Sequence, residues 1–232
     1  MEDCESMRTI PSIFIIGDSH ANVFKLNSLF TVIHIGPATA YNLINKGSTT
    51  GSNERILKCI ALMKKGDILI PVFGEIDCRI HIYYQFKKNQ EKTSIAELID
   101  KTIQNYGKFL KMIQKHGIEI CVCGITPVGE ERNIYNYPYF AERPEQSSIY
   151  QEFNTKLKSF CDQSGINFLN IYPLVSDTDG FLKKDFSDDG IHLNERILPK
   201  IEKILYSSYG VKIRLRKIIN QYKKNFYAWQ NG

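Results

Sequence analysis

No run in the 232-residue chain approaches the ~18 to 20 apolar residues that a helix needs to cross a bilayer. The first apolar run, in MEDCESMRTIPSIF, is short and follows acidic residues, so it lacks the makings of a secretory leader. There is no internal repeat and no low-complexity linker. Cysteines are few and scattered (Cys4, Cys59, Cys78, Cys121, Cys123, Cys161), and no second ligand pair stands at zinc-binding spacing. Cys121 and Cys123 alternate within IEICVCG and so face one side of a strand, as expected of buried core thiols. This usage points to a reduced, cytoplasmic chain. Net basic charge is also scarce outside the end of the chain. The formal charge is +5, and six basic residues with no acidic one lie beyond Gly210 (Lys212, Arg214, Arg216, Lys217, Lys223, Lys224). The rest is therefore near neutral, which gives a nucleic-acid function little electrostatic support.

What is present is an alternation of short apolar runs with longer amphipathic stretches. SIFIIG (12–17), TVIHIG (31–36), DILIPVFG (67–74), IEICVCG (118–124) and INFLNIY (166–172) are near-continuously apolar, as parallel strands covered on both faces are. Helices are expected over 52–65, 94–116, 147–164 and 194–207, with Ser94 as the N-cap of the second through a capping box with Glu97. The alternation predicts a three-layer α/β/α sandwich on a five-stranded parallel sheet, filling residues 1–209. Two segments stand outside the pattern. Residues 125–146 form a long Pro- and Tyr-rich loop, and 210–232 form a basic amphipathic tail. The tail is expected to pack on the domain or on another subunit, with an acidic membrane surface or acidic partner as the alternative.

In such a sheet, ligands bind beyond the carboxyl ends of the strands. Ser19 stands there, in IIGDSHANVF after the first strand. A serine becomes a nucleophile only when a base takes its proton, and the base needs a group to fix its tautomer. DDGIHLN, after the fifth strand, supplies both: Asp189 and His192 are three residues apart on a loop. His34, in a strand pattern, and His116, at a helix end, read as structural. His20 and His81 are loop candidates without a carboxylate at that spacing. A third rim stretch, VFGEIDCRIHI (72–82), crowds charge into the turn after the third strand.

These stretches, in this order, resemble the GDSL/SGNH hydrolases, a family of esterases and acyl transferases on a small three-layer sheet. Gly17-Asp18-Ser19 matches its first block and Asp189-Gly190-Ile191-His192 its last, which implies Ser19 as nucleophile, His192 as base and Asp189 as its orienting acid. The resemblance further implies a backbone N–H for the oxyanion after the second strand, Gly36 foremost, with Gly47 and Gly51 in the following loop as alternatives and the Thr39 hydroxyl close to Gly36. The third block, Gly-x-Asn-Asp, aligns with Gly74-Glu75-Ile76-Asp77 and so sets isoleucine where an oxyanion-binding asparagine belongs. Losing such a donor costs ~10² to 10³ in rate. Arg79 is the nearest substitute, its alternative being an ion pair with Glu75 or Asp77. A metal cluster of Glu75, Asp77, Asp188 and Asp189 is disfavoured because Arg79 and His192 compete for those carboxylates. No metal or cofactor is therefore expected. The expected activity is hydrolysis of acyl esters, O-acetyl groups of carbohydrate foremost, with the Tyr-rich loop suited to sugar rings. Transfer of a group onto a sugar and a non-catalytic glycan-binding role are the alternatives.

Overall fold

Five apolar runs become five parallel strands: β1 (Ile13–Gly17), β2 (Phe30–His34), β3 (Ile68–Val72), β4 (Glu119–Cys123) and β5 (Asn167–Leu169). The computed structural model describes residues 11–48, 50–130, 137–210 and 220. Apart from Gly210 and Asn220 the basic tail lies outside them, as do residues 131–136 of the long loop. The strand order is β2-β1-β3-β4-β5, with Ile15 beside Val32 on one side and Ile70 on the other. β1 and β3 are neighbours whose following connections run to opposite edges, so the chain reverses direction across the sheet between them. That switch point is where α/β sheets leave a crevice for ligands.

Strand side chains alternate between two cores, as the period of two requires. Ile16, Leu69 and Val122 face helices α1 (Ser52–Ile60), α3 (Ile95–Gln114) and α4 (Arg143–Ser164) through Ile56, Tyr106 and Phe153. Ile15, Ile70, Cys121 and Cys123 face the last helix, α6 over 198–210, through Ile201 and Leu205. Both cysteines thus share one face as the alternation predicts. Burying an Ile or Phe in this way stabilises by about 1.5 to 3 kcal/mol, so both layers hold the strand ends that carry the rim. Ser94 caps α3 with the reciprocal Glu97 bond. Among the described residues no helix is long and apolar enough to cross a membrane.

Four elements differ from expectation. α1 ends at Ile60, short of the expected 65, and starts from Gly51 in the left-handed region without a side-chain cap. α4 begins at Arg143, a turn earlier than expected, with Pro144 in its first turn, where the missing N–H costs nothing. The stretch read as a charged turn is helical: a π-type turn, Asp77–His81, runs into α2 (Ile82–Lys88), and the Ile82 N–H donates to the Asp77 carbonyl. Its charges resembled a solvated turn because their partners are remote in sequence. β5 is shorter than its apolar run, which passes into a single helical turn, α5 (Tyr172–Val175).

Candidate active site

The site begins at a tight elbow. A Cβ on Gly17 would lie 2.5 Å from the Val72 carbonyl oxygen, so only glycine lets β1 run this close to β3 before turning. Asp18 then caps the 3-10 helix Ser19–Leu26, its Oδ1 accepting from the His20 N–H at 2.9 Å. Its other oxygen is buried without a partner, and burial raises the carboxyl above its ordinary range. Ser19 is the first residue of the helix, at the strand-end rim.

The loop after α5 brings its own chemistry to that rim. Asp189 Oδ1 accepts from the N–H groups of Ile191 and His192, at 2.8 and 2.7 Å, and this locks the carboxylate in place. Its Oδ2 lies 2.6 Å from His192 Nδ1, and His192 Nε2 lies 2.8 Å from Ser19 Oγ. Burial works to raise the Asp189 carboxyl, but the bonds from His192 and from the two amides hold it well below the carboxylate range. With Asp189 ionised, Nδ1 carries the proton and Nε2 is left as the acceptor for the serine hydroxyl. Residues 173 apart in sequence thus form one hydrogen-bonded line that can deprotonate Ser19.

Opposite this line lies the turn after β2. The Ile35 N–H donates to the Gly17 carbonyl at 2.8 Å, which fixes the Gly36 peptide beside the Ser19 elbow. Asp77 holds the following residues from below, with Oδ2 accepting from the Ala40 N–H at 2.7 Å and Oδ1 from the Tyr41 N–H at 3.1 Å. Its carboxyl is buried, and burial raises it to about 7. Asp77 is therefore a positioning group for the Gly36–Tyr41 turn. Both of its oxygens accept from backbone amides. The Thr39 hydroxyl accepts from the Asn42 side chain at 2.9 Å. Ile76 is half-buried at the start of the π-type turn and offers no donor.

The other rim residues of that turn form a buried ionic group. Gly74 turns the chain at φ +114°, and a Cβ there would meet the Phe153 ring at 2.5 Å, so the turn that leads into Glu75 requires glycine. Glu75 Oε2 contacts His20 Nε2 at 3.0 Å, while its Oε1 takes Arg79 Nε at 3.0 Å and the Tyr150 hydroxyl at 2.7 Å. Burial alone would raise Glu75, but the His20 and Arg79 charges and the hydrogen bonds bring it down to about 2. Burial likewise works against a charged His20, yet the Glu75 carboxylate outweighs it and raises the imidazole above its ordinary range. Glu75 is thus an internal counter-ion. Arg79 keeps its Nε on that carboxylate, so the ion-pair alternative is the one found. His20, read in the sequence as lacking a carboxylate, has one 55 residues away. Neither His20 nor Tyr150 could be found from spacing, because nothing local links either to Glu75.

Beside the His192 loop, Gly190 and Ile191 border a cavity of about 230 Å³ that also takes in Arg79, Pro127, Val128 and Phe140. Its aromatic edge continues outward, with Tyr137 packed against Phe140 and Tyr84. Asp188 is spent on the Asn194 side chain at 2.9 Å. Among the described residues no group of three or more His, Cys, Asp or Glu side chains converges to hold a metal.

Solved structures share this architecture at low identity. A Streptococcus pneumoniae protein provisionally named a platelet activating factor matches with a TM-score of 0.59 and 18% identity, over 88% of this chain and 86% of its own. A carbohydrate acetylesterase from Sinorhizobium meliloti matches with 0.53 and 14%, over 87% and 99%. An acetyl xylan esterase matches with 0.53 and 14%, over 85% and 99%. Among curated proteins no sequence match is found. At these identities the likeness speaks for the fold. The family model described as GDSL-like Lipase/Acylhydrolase matches residues 13–201, from the start of β1 into α6, and the chain belongs to that family of hydrolases.

Proposed function

We propose that this hydrolase is a serine esterase that removes small O-acyl groups, O-acetyl foremost, from carbohydrate. The observation that carries this reading is the unbroken line from Ser19 Oγ through His192 to Asp189. Ser19 Oγ attacks the ester carbonyl as its proton passes to His192 Nε2, and Asp189 stabilises the imidazolium that forms. The N–H groups of Ser19 and Gly36 receive the oxyanion. His192 then returns the proton to the departing sugar oxygen and leaves the acyl group on Ser19. A water deprotonated by the same imidazole releases the acid and restores the serine. The modest cavity beside Ile191 supports a small acyl group over a long chain. The fold also likens the chain to two proteins named for acetyl ester hydrolysis. A cytoplasmic setting is supported by the five described cysteines, all unpaired.

A second reading, transfer of the acyl group to a sugar hydroxyl, draws on Ile76. An apolar side chain beside the oxyanion gives an attacking water less to bind than asparagine would.

Fluorophosphonate labelling and p-nitrophenyl acetate hydrolysis test the assignment. Wild type should be labelled and Ser19→Ala not, with hydrolysis falling by ~10³-fold or more. Equal labelling and hydrolysis in both proteins would overturn it. Acetyl transfer to an added sugar in excess of acetate release would replace hydrolysis with transfer.

A further inference from the structure

On the β2 side of the rim lies a second cavity, of about 310 Å³. Its wall starts at Thr39, three residues past Gly36, and reaches Asp77, the residue after Ile76. Through these chain neighbours it lies on the side of the Gly36–Tyr41 turn, away from the cavity at Gly190 and Ile191, and neither Ser19 nor Gly36 lines it. His81, Gln85 and Asn89 recur every four residues along the π-type turn and α2, so they stack on one helix face. All three line this cavity. None of their side chains makes a hydrogen bond to a described residue.

The neighbouring polar groups are occupied: Asp77 by Ala40 and Tyr41, Thr39 by Asn42, and the Thr102 hydroxyl by the Leu98 carbonyl at 2.9 Å. Besides the Tyr41 hydroxyl and the Lys101 ammonium, which also line the cavity, the free hydrogen-bonding capacity lies in the stripe, and its chemistry is specific. An amide both donates and accepts, and burial lowers the His81 imidazole, so in its neutral form it does the same. A phosphate or carboxylate would want donors alone, and an ammonium acceptors alone. A hydroxyl, itself donor and acceptor, matches all three. Ile82 and Leu98 supply an apolar surface for C–H groups, and Lys101 at the edge lies 6.0 Å from the Tyr41 ring centre. The volume is at the small end of ligand pockets, which run from ~300 to 1,000 Å³.

We propose that this cavity is a neutral carbohydrate subsite, with sugar hydroxyls on His81, Gln85 and Asn89 and the C–H face of the ring on Ile82 and Leu98. The inference rests on the esterase reading in that the bound sugar carries the ester presented to Ser19. The stripe, and not the Tyr-rich loop alone, then sets which glycan is processed.

Calorimetric titration of the full chain with xylobiose, cellobiose and the disaccharide of N-acetylglucosamine reads binding without chemistry. At least one should bind, and His81→Ala combined with Gln85→Ala should weaken it by ~10-fold or more, the sum of two lost hydrogen bonds. Gln85→Glu, which keeps the size and removes the donor, should weaken it in the same direction without disturbing packing. For the O-acetylated form of the same sugar, KM should rise by a similar factor in the double variant. No binding by any disaccharide, or equal binding by wild type and both variants, overturns the subsite. If binding behaves as expected while Ser19→Ala leaves esterase activity unchanged, the esterase reading falls and the sugar site stands. If Ser19 is labelled and no disaccharide binds, the subsite alone falls.

Discussion

Two histidine–carboxylate pairs lie side by side in this molecule, with the rings of His192 and His20 only 4.8 Å apart at their centres. His192 and Asp189 are three residues apart, with side chains 37% and 47% exposed. His20 and Glu75 come from the ends of different strands and are each only 6% exposed. In the first pair the carboxylate fixes one ring nitrogen and the other meets a serine hydroxyl that solvent and substrate can reach. In the second the carboxylate is shared with Arg79 and Tyr150, and the imidazole is enclosed against it. The same two residue types therefore serve different ends. Access and the number of partners on the carboxylate decide whether the histidine is poised to move a proton or is held as part of the frame.

The difference is broken most severely from the exposed side. Asp189→Asn keeps the shape but removes the charge that holds the His192 tautomer, and kcat for p-nitrophenyl acetate should fall by ~10⁴-fold. A fall below ~10-fold would mean that Asp189 does not orient the base. On the buried side the loss should appear as stability. Glu75→Gln leaves the His20 and Arg79 charges without their shared carboxylate, and chemical denaturation should register a loss of about 3 to 5 kcal/mol. A loss under about 1 kcal/mol would show that the ionic group has little net weight. Ile76, the residue after Glu75, comes next. Ile76→Asn should raise p-nitrophenyl acetate turnover, by up to ~10²-fold if it restores a missing oxyanion donor. Unchanged turnover would mean that backbone donors already complete the site.

The smallest effects are slopes with pH, at most about 1.4 kcal/mol per pH unit for each group. Glu75 is lowered from 4.5 to about 2 in the folded state, so its contribution is present above pH 4.5 and lost as pH falls from about 4.5 to about 2. Asp77 is raised from 3.8 to about 7, so its contribution has the opposite sense, full at low pH and declining between about 4 and about 7. Glu75→Gln should flatten the acid limb of the stability profile and Asp77→Asn the slope toward neutrality. Parallel profiles in wild type and both variants would contradict these assignments.

Much of the fold was legible because burial writes a periodic record. Continuous apolar runs marked parallel strands, and Cys121 and Cys123 fell on one face because a strand alternates. The capping box at Ser94 is a local hydrogen-bond pattern and needs no tertiary context. The meeting of Ser19, Asp189 and His192 was legible for a different reason. Two of the three are neighbours, and each stands at the end of a strand whose place on the rim follows from the sheet. The 75–88 helix was not legible. Its early charges, Glu75, Asp77 and Arg79, resemble a solvated turn unless one knows that His20, Tyr150 and the Ala40 and Tyr41 amides satisfy them. Boundaries such as the end of α1 and the start of α4 escaped for the same reason, since they are settled by packing against neighbours.

By itself, then, the sequence determined the class of fold, the rim that carries the chemistry and the exposed histidine–carboxylate pair, because periodicity and short spacings are properties of the chain alone. Only the tertiary structure decided that His20 meets Glu75 in the interior, that Asp77 holds the Ala40 and Tyr41 amides, and that His81, Gln85 and Asn89 face a cavity. Those outcomes depend on which distant groups desolvate or neutralise one another, and a linear order of residues does not contain that information.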